Sequence, residues 1–274
     1  MHWSIDVIEI HPTAVIHPGA RLGDGVKVGP YAVIGEHVSI GAGTVIGAHA
    51  VIEPYTTMGV DCQVFSGAII GGVPQDLKFG GEESYTVIGD RNIIRECVTI
   101  NRATGMGEET RIGDDNMFQA YVHVAHNCVI GNQVIMSNCA TLAGHVSVED
   151  YAIIGGLAGI HQFCRVGTMA MVGAMSRVTQ DVPPYMLIEG APPKVLGPNV
   201  IGLRRRGLGQ DERTLIKRAY KLMYRSDLNF AQALEAIAQL EDSPYLRHLI
   251  AFVESSERGV TGRSNRASGA EASA

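Results

Sequence analysis

The stretch VIGEHVSIGAGTVIGAHAVI (residues 33–52) places an isoleucine at every sixth position: Ile34, Ile40, Ile46 and Ile52. Worked outward, the phase runs back through Val28, Leu22 and Ile16 to Ile10, and forward through Met58 and Val64 to Ile70. It resumes at Ile88, Ile94 and Ile100, and again from Ile112 through Phe118, Val124, Ile130, Met136, Leu142, Val148, Ile154, Ile160, Val166 and Val172 to Val178. Gly often follows the aliphatic residue (Gly29, Gly35, Gly41, Gly47), and a small or β-branched residue stands four places after it (Ala32, Thr44, Ala50, Ala140). Six-residue repeats mark a parallel β-helix, three of them closing one triangular coil. The aliphatic residue points inward, the small one fills the remaining interior, and the glycine is expected to permit a tight corner. Each inward Ile or Val contributes roughly 1.5–3 kcal/mol when fully buried.

The phase lapses twice, which predicts loops leaving the coil at about 71–87 and 101–111. Excursions from a rigid scaffold are common places for function. The repeat ends at QDVPPY (180–185), where paired prolines make a sharp stop. The β-helix is therefore expected over 1–185, then a linker (MLIEGAPPKVLGPNVIG) and a helical domain over 186–258, then a disordered tail over 259–274. In the helical domain, Leu215, Ala219, Leu222 and Met223 share one helical face, and Ser243 with Pro244 reads as an N-cap followed by the first helical position.

The formal net charge of -6 argues against nucleic-acid binding. Five cysteines without a CxxC pair suit a reduced compartment, and Cys62, Cys128 and Cys164 fall on the small interior position as packing residues. No run approaches the ~18 apolar residues that span a bilayer, and the start of the chain does not resemble a signal peptide. The expected location is the cytoplasm.

A coil of eighteen residues superimposes His126, Gly144 and Gln162 on one edge, with His145 and His161 beside them and His123 three residues earlier. His11, His17, His37 and His49 also occupy corners and read as solvated surface. The converging set reads as a functional site, which leaves three classes open: an acyltransferase, a metal-dependent enzyme of the hexapeptide-repeat carbonic anhydrase type, and a non-catalytic repeat scaffold.

The motifs PQDLKFGG (74–81), IGDRNIIRECVTI (88–100), HVAHNCVIGN (123–132), ATLAGHVSVED (140–150), IIGGLAGIHQFCRVG (153–167) and TQDVPPY (179–185), with the helical C-terminal segment, resemble one family over nearly the whole chain. It is the UDP-N-acetylglucosamine 3-O-acyltransferase family of lipid A biosynthesis. The resemblance implies a left-handed helix, a homotrimer with clefts between neighbouring prisms, and no metal or cofactor. It implies transfer of a 3-hydroxyacyl chain from acyl carrier protein to the 3-position of the glucosamine of UDP-N-acetylglucosamine; a 3-hydroxyl and a 3-amino acceptor both fit.

By motif, His126 is the expected general base and the Gly144 amide the oxyanion donor. Gln75, Asp76, Lys78 and His123 are expected at the sugar, His145, His161 and Gln162 along the cleft, and Asn199 and Arg205 at the uridine diphosphate. Acyl carrier protein is acidic, so local basic residues (Arg165, Arg177 and Arg204–Arg206) are expected to receive it. The chain departs from the family pattern in four places: Asn127 stands where Asp is common, Ile201 where Glu is common, and Ala174 and Pro192 at positions that set acyl length. An intermediate or shortened acyl chain is expected from the last two.

Overall fold

The computed structural model describes residues 7–262. Each aliphatic position ends a short strand and points inward, so that Ile34, Ile46, Ile52, Ile94, Ile100 and Phe118 are buried. The residue four places later also turns inward: Ala32, Thr44, Val122, Cys128 and Ala140 are fully buried. Successive strands stack into three sheets of 11, 9 and 8 strands among the described residues. Val124 pairs with Leu142, Leu142 with Ile160, and Ile160 with Val178, each one coil apart and parallel. The result is a left-handed parallel β-helix carrying a C-terminal helical domain.

The corners correct one expectation. Left-handed backbone falls three residues after the aliphatic, with φ of 63° at Tyr121, 57° at Asn127, 59° at His145 and 63° at Phe163. Such a conformation costs an L-residue roughly 1–2 kcal/mol. It is offset where the N–H of that residue bonds the coil beneath: His145 N donates to His126 O at 3.0 Å and Phe163 N to Gly144 O at 3.2 Å. The glycines directly after the aliphatic have another purpose. A Cβ on Gly23 would lie 2.6 Å from Ala42 N, and one on Gly155 2.6 Å from Ala174 N. Glycine stands there because stacked backbones touch, not because the corner demands its dihedral freedom.

Strand pairing reaches further into both lapses than the aliphatic phase implied. Ile69–Gly72 and Tyr85–Ile88 flank the first excursion, and Thr99–Asn101 and Glu109–Ile112 flank the second. The two loops pack on each other: Gly105 N donates to Glu82 Oε1 at 2.8 Å, and the Arg102 guanidinium lies 5.3 Å from the Phe79 ring.

The expected linker is a hairpin. Met186–Gly190 continues the first, 11-stranded sheet by pairing in parallel with Met171–Val172, then turns back antiparallel against Pro193–Pro198. Four helices follow: α1 (Val200–Arg205), α2 (Gln210–Tyr224), α3 (Phe230–Ala238) and α4 (Pro244–Glu254). Ser243 caps α4, its hydroxyl accepting from Tyr245 N at 3.3 Å, with Pro244 at the first turn. Arg165 fastens this domain to the β-helix. Its Nε reaches Asp181 Oδ2 at 3.1 Å, its Nη2 reaches Phe252 O at 2.6 Å, and its guanidinium covers the Phe252 ring at 4.2 Å. Most of the expected disordered tail lies outside the described residues, but its first four residues are fixed. Asp181 N donates to Gly259 O and Thr261 N to Asp181 O, both at 2.8 Å, and Val260 and Thr261 are buried.

Candidate active site

The corners between the second sheet (which holds His123–Val124) and the third (which holds Val129–Ile130) form one edge of the prism. His126, Gly144, His145, His161 and Gln162 all fall on it, at successive coils. The first excursion brings Asp76 to the same place, with Asp76 Oδ2 3.9 Å from His126 Nε2. Gln75 and Lys78 flank it in that loop and are exposed. The Lys78 N–H bonds Asp76 Oδ1 at 3.0 Å, and this bond, helped by the nearby His126, holds the Asp76 carboxyl below the usual range.

The tautomer of the neutral His126 ring follows from its neighbours. Asn127 Oδ1 accepts from Thr104 N at 2.9 Å, and Asn127 Nδ2 donates to Thr104 O at 3.1 Å. Those two bonds fix which end of the amide is oxygen. The same Oδ1 lies 2.9 Å from His126 Nδ1, so Nδ1 carries a hydrogen, and in the neutral ring it is Nε2 that holds the lone pair. Asn127, the departure from Asp, thus still orients the imidazole, through a neutral partner. Thr104 comes from the second excursion, and no periodicity points to it.

Gly144, one coil above, lies directly against that ring. A Cβ there would sit 2.5 Å from His126 Cε1 and 2.6 Å from Nε2, so only glycine allows the imidazole this position. Its amide N–H donates to no acceptor among the described residues. A free donor beside a bare imidazole nitrogen is the pair that acyl transfer requires. His145 meets His126 edge-on at 5.3 Å and stacks on Phe163 at 4.7 Å. Its basicity is lowered chiefly by burial, then by the neighbouring His126. His123 faces outward from the second sheet, 2.7 Å from Thr99 Oγ1, and burial lowers its basicity too.

Other expected site residues lie elsewhere on the prism. Asn199 caps α1: its Oδ1 accepts from Gly202 N and its Nδ2 donates to Met169 O, both at 3.0 Å. With Arg205 it lines a cavity of about 700 Å³ over the outer face of the first sheet, together with Ile135, Ile153, Met171 and Leu187. Arg206 pins α1 there, its guanidinium 4.5 Å from the Tyr151 ring on the edge between the third and first sheets. Ile201 lines the same cavity, where it supplies no polar contact. Ala174 and Pro192 are exposed at the remaining edge, between the first and second sheets, where Gly190 N of the hairpin turn donates to Ser176 Oγ at 3.1 Å. Arg165 is corrected as a carrier-binding candidate, because Asp181 and α4 occupy its guanidinium. Among the described residues of one chain, no three His, Cys, Asp or Glu side chains converge as a metal site needs.

A histidine edge over an open glycine amide, on a prism of six-residue repeats, is the architecture of the hexapeptide-repeat acyltransferases. Residues 19–54 and 109–144 match the family of bacterial hexapeptide transferases, and residues 181–261 match the family described as UDP N-acetylglucosamine O-acyltransferase, domain 2. The chain is 56% identical over 232 residues to the acyl-carrier-protein-dependent UDP-N-acetylglucosamine O-acyltransferase of Verminephrobacter eiseniae, covering 84% of this chain and 88% of that one. Its match to the enzyme of the same name from Herminiimonas arsenicoxydans is 47% over 257 residues, 92% and 98% of the two chains. The solved UDP-N-acetylglucosamine acyltransferase of Francisella novicida superposes with a TM-score of 0.89 at 38% identity, covering 93% of this chain and 95% of that one. The chain belongs to the acyl-carrier-protein–UDP-N-acetylglucosamine O-acyltransferase family. No helix among the described residues is long and apolar enough to cross a membrane.

Proposed function

We propose that this acyltransferase moves a 3-hydroxyacyl chain from acyl carrier protein to the 3-position of the glucosamine of UDP-N-acetylglucosamine, the first step of lipid A biosynthesis, with His126 as general base. The observation that carries this reading is the bare Nε2 of His126 over the free Gly144 amide. Nε2 takes the proton of the sugar's nucleophile as that nucleophile attacks the thioester carbonyl carbon. The carbonyl oxygen, now an oxyanion, accepts from the Gly144 N–H. The intermediate collapses with cleavage of the carbon–sulfur bond, and the imidazolium returns the proton to the departing thiolate. Asp76, 3.9 Å from Nε2, favours the imidazolium while it exists. General-base catalysis of this kind supplies about 10²–10⁴-fold.

Asn199 and Arg205, which we assign to the nucleotide, line the cavity over the outer face of the first sheet, away from the histidine edge, so this reading completes the site with a second copy. A homotrimer serves, each cleft combining His126 of one protomer with the Asn199–Arg205 cavity of its neighbour. Arg suits a diphosphate because its fork donates two bonds at once. Arg177 and Arg204, both exposed, are free to meet an acidic carrier protein. Five unpaired cysteines accord with the cytoplasm. Ala174 and Pro192, beside the hairpin turn, limit the acyl chain to an intermediate or shortened length.

Mixing two dead proteins tests the shared site. His126→Ala and Arg205→Ala homotrimers should each be nearly inactive on UDP-N-acetylglucosamine. Co-expressed, they should regain activity, because some clefts then receive both native side chains. Absence of recovery in purified mixed trimers refutes a cleft built from two protomers.

A further inference from the structure

The C-terminal segment supplies a residue that the site description above leaves unused. Arg258 follows α4, immediately before the residues that bond Asp181. Its Nη2 lies 3.1 Å from His161 Nδ1 and 3.3 Å from Thr179 O. Gly259, Val260 and Thr261 hold it there: their backbone pairs with Asp181, Thr261 Oγ1 donates to Gln180 O at 3.3 Å, and Tyr224 donates its hydroxyl hydrogen to Thr261 O at 3.3 Å. A guanidinium is thereby set against an imidazole two coils above His126.

A guanidinium has five N–H donors, no acceptor, and does not lose its charge. A ring nitrogen bonded to it must be the bare one. His161 Nδ1 also lies 3.2 Å from Gln162 O, which would need Nδ1 to donate. The two contacts demand opposite tautomers. The charged donor is the stronger partner, since charge-assisted bonds exceed neutral ones about twofold. The hydrogen of His161 is then on Nε2, which has no partner among the described residues.

We infer that Arg258 is a positioning residue that holds His161 as an Nε2–H donor for an acceptor oxygen of the bound substrate. The same edge then carries two imidazoles of opposite kind. Asn127 makes His126 Nε2 a lone pair that takes a proton, and Arg258 makes His161 Nε2 a hydrogen that is offered. The inference rests on the reading of His161 as a cleft residue.

The test uses the full-length protein in solution. In the spectrum of the ¹⁵N-histidine-labelled native enzyme, assigned by comparison with His161→Gln, His161 should show a protonated Nε2 and a bare Nδ1 at neutral pH. A protonated Nδ1 overturns the inference without any variant of Arg258. Arg258→Met should lower kcat/KM about tenfold and change the tautomer signal, while Arg258→Lys, which can still donate, should recover most of both. Glutamine places its amide nitrogen where Nε2 stands, so His161→Gln should keep more activity than His161→Asn. In the His161→Gln background Arg258→Met should have no further effect. If Arg258→Met lowers turnover equally in both backgrounds, Arg258 acts on substrate by itself and the inference fails. If His161→Ala is fully active, the placement of His161 in the cleft fails instead, and the ¹⁵N spectrum still decides the tautomer. Thermal melting of each variant separates loss of fold from loss of positioning.

Discussion

Two edges of one prism are made from the same hexads and carry opposite chemistry. On the edge between the third and first sheets, a run of amides two residues after the aliphatic, from Val60 to Asn132, is capped by side chains from the next coil. Asp90 N donates to Asp114 Oδ1 and Asp114 N to Asn132 Oδ1, both at 2.8 Å, and Asn132 N donates to Asp150 Oδ1 at 2.7 Å. On the edge between the second and third sheets, the equivalent amides of His126, Gly144 and Gln162 donate to no acceptor among the described residues, and the His126 imidazole lies against the Gly144 backbone. What distinguishes Gly144 is the group beside its open amide: among the described glycines it is the one whose added Cβ would fall within 3 Å of an imidazole, 2.5 Å from His126 Cε1. One edge spends its corners on stability and the other keeps them available.

The largest effect that would sharpen this contrast is His126→Ala, which should reduce kcat by about 10²–10⁴ while the melting temperature stays put. A variant that loses fold and activity together would erase the distinction. Gly144→Ala should follow at about 10²-fold, because the methyl group displaces the His126 ring and crowds the oxyanion position. Single-turnover acyl transfer reads both. On the other edge, Asn132→Ala should leave kcat alone and cost about 1 kcal/mol, a fall of roughly 2–4 °C in Tm for a chain of this size. A loss of turnover there would break the division of labour between edges.

The smallest effect concerns pH. Burial chiefly lowers the basicity of both His123 and His145. A histidine whose folded value is depressed contributes stability above the ordinary imidazole range, about pH 6.5, and that contribution is lost as pH falls toward the folded value. Tm should therefore decline between neutral pH and mild acid, and His123→Gln should flatten the decline without abolishing it. An unchanged slope would show that His123 is as solvated as His11 or His17.

The sequence by itself determined the coil, its inward residues and the ridge that His126, Gly144 and Gln162 share. That information is local and periodic: the same six-residue geometry recurs, so a count of eighteen converts directly into a neighbour in space. It also carried the caps of α4, which depend on adjacent residues only. The tertiary structure alone decided what the period cannot encode. Thr104 orients Asn127 from an excursion, and the hairpin at 186–198 replaces an expected linker. Residues 259–262 return to Asp181, and Arg258 reaches His161 across 97 positions of chain. It also separated Asn199 and Arg205 from the histidine edge, because their place depends on how α1 packs against the outer face of the first sheet. Each of these is a contact between segments with no common repeat, and such contacts are chosen by shape and hydrogen-bond satisfaction, not by spacing along the chain.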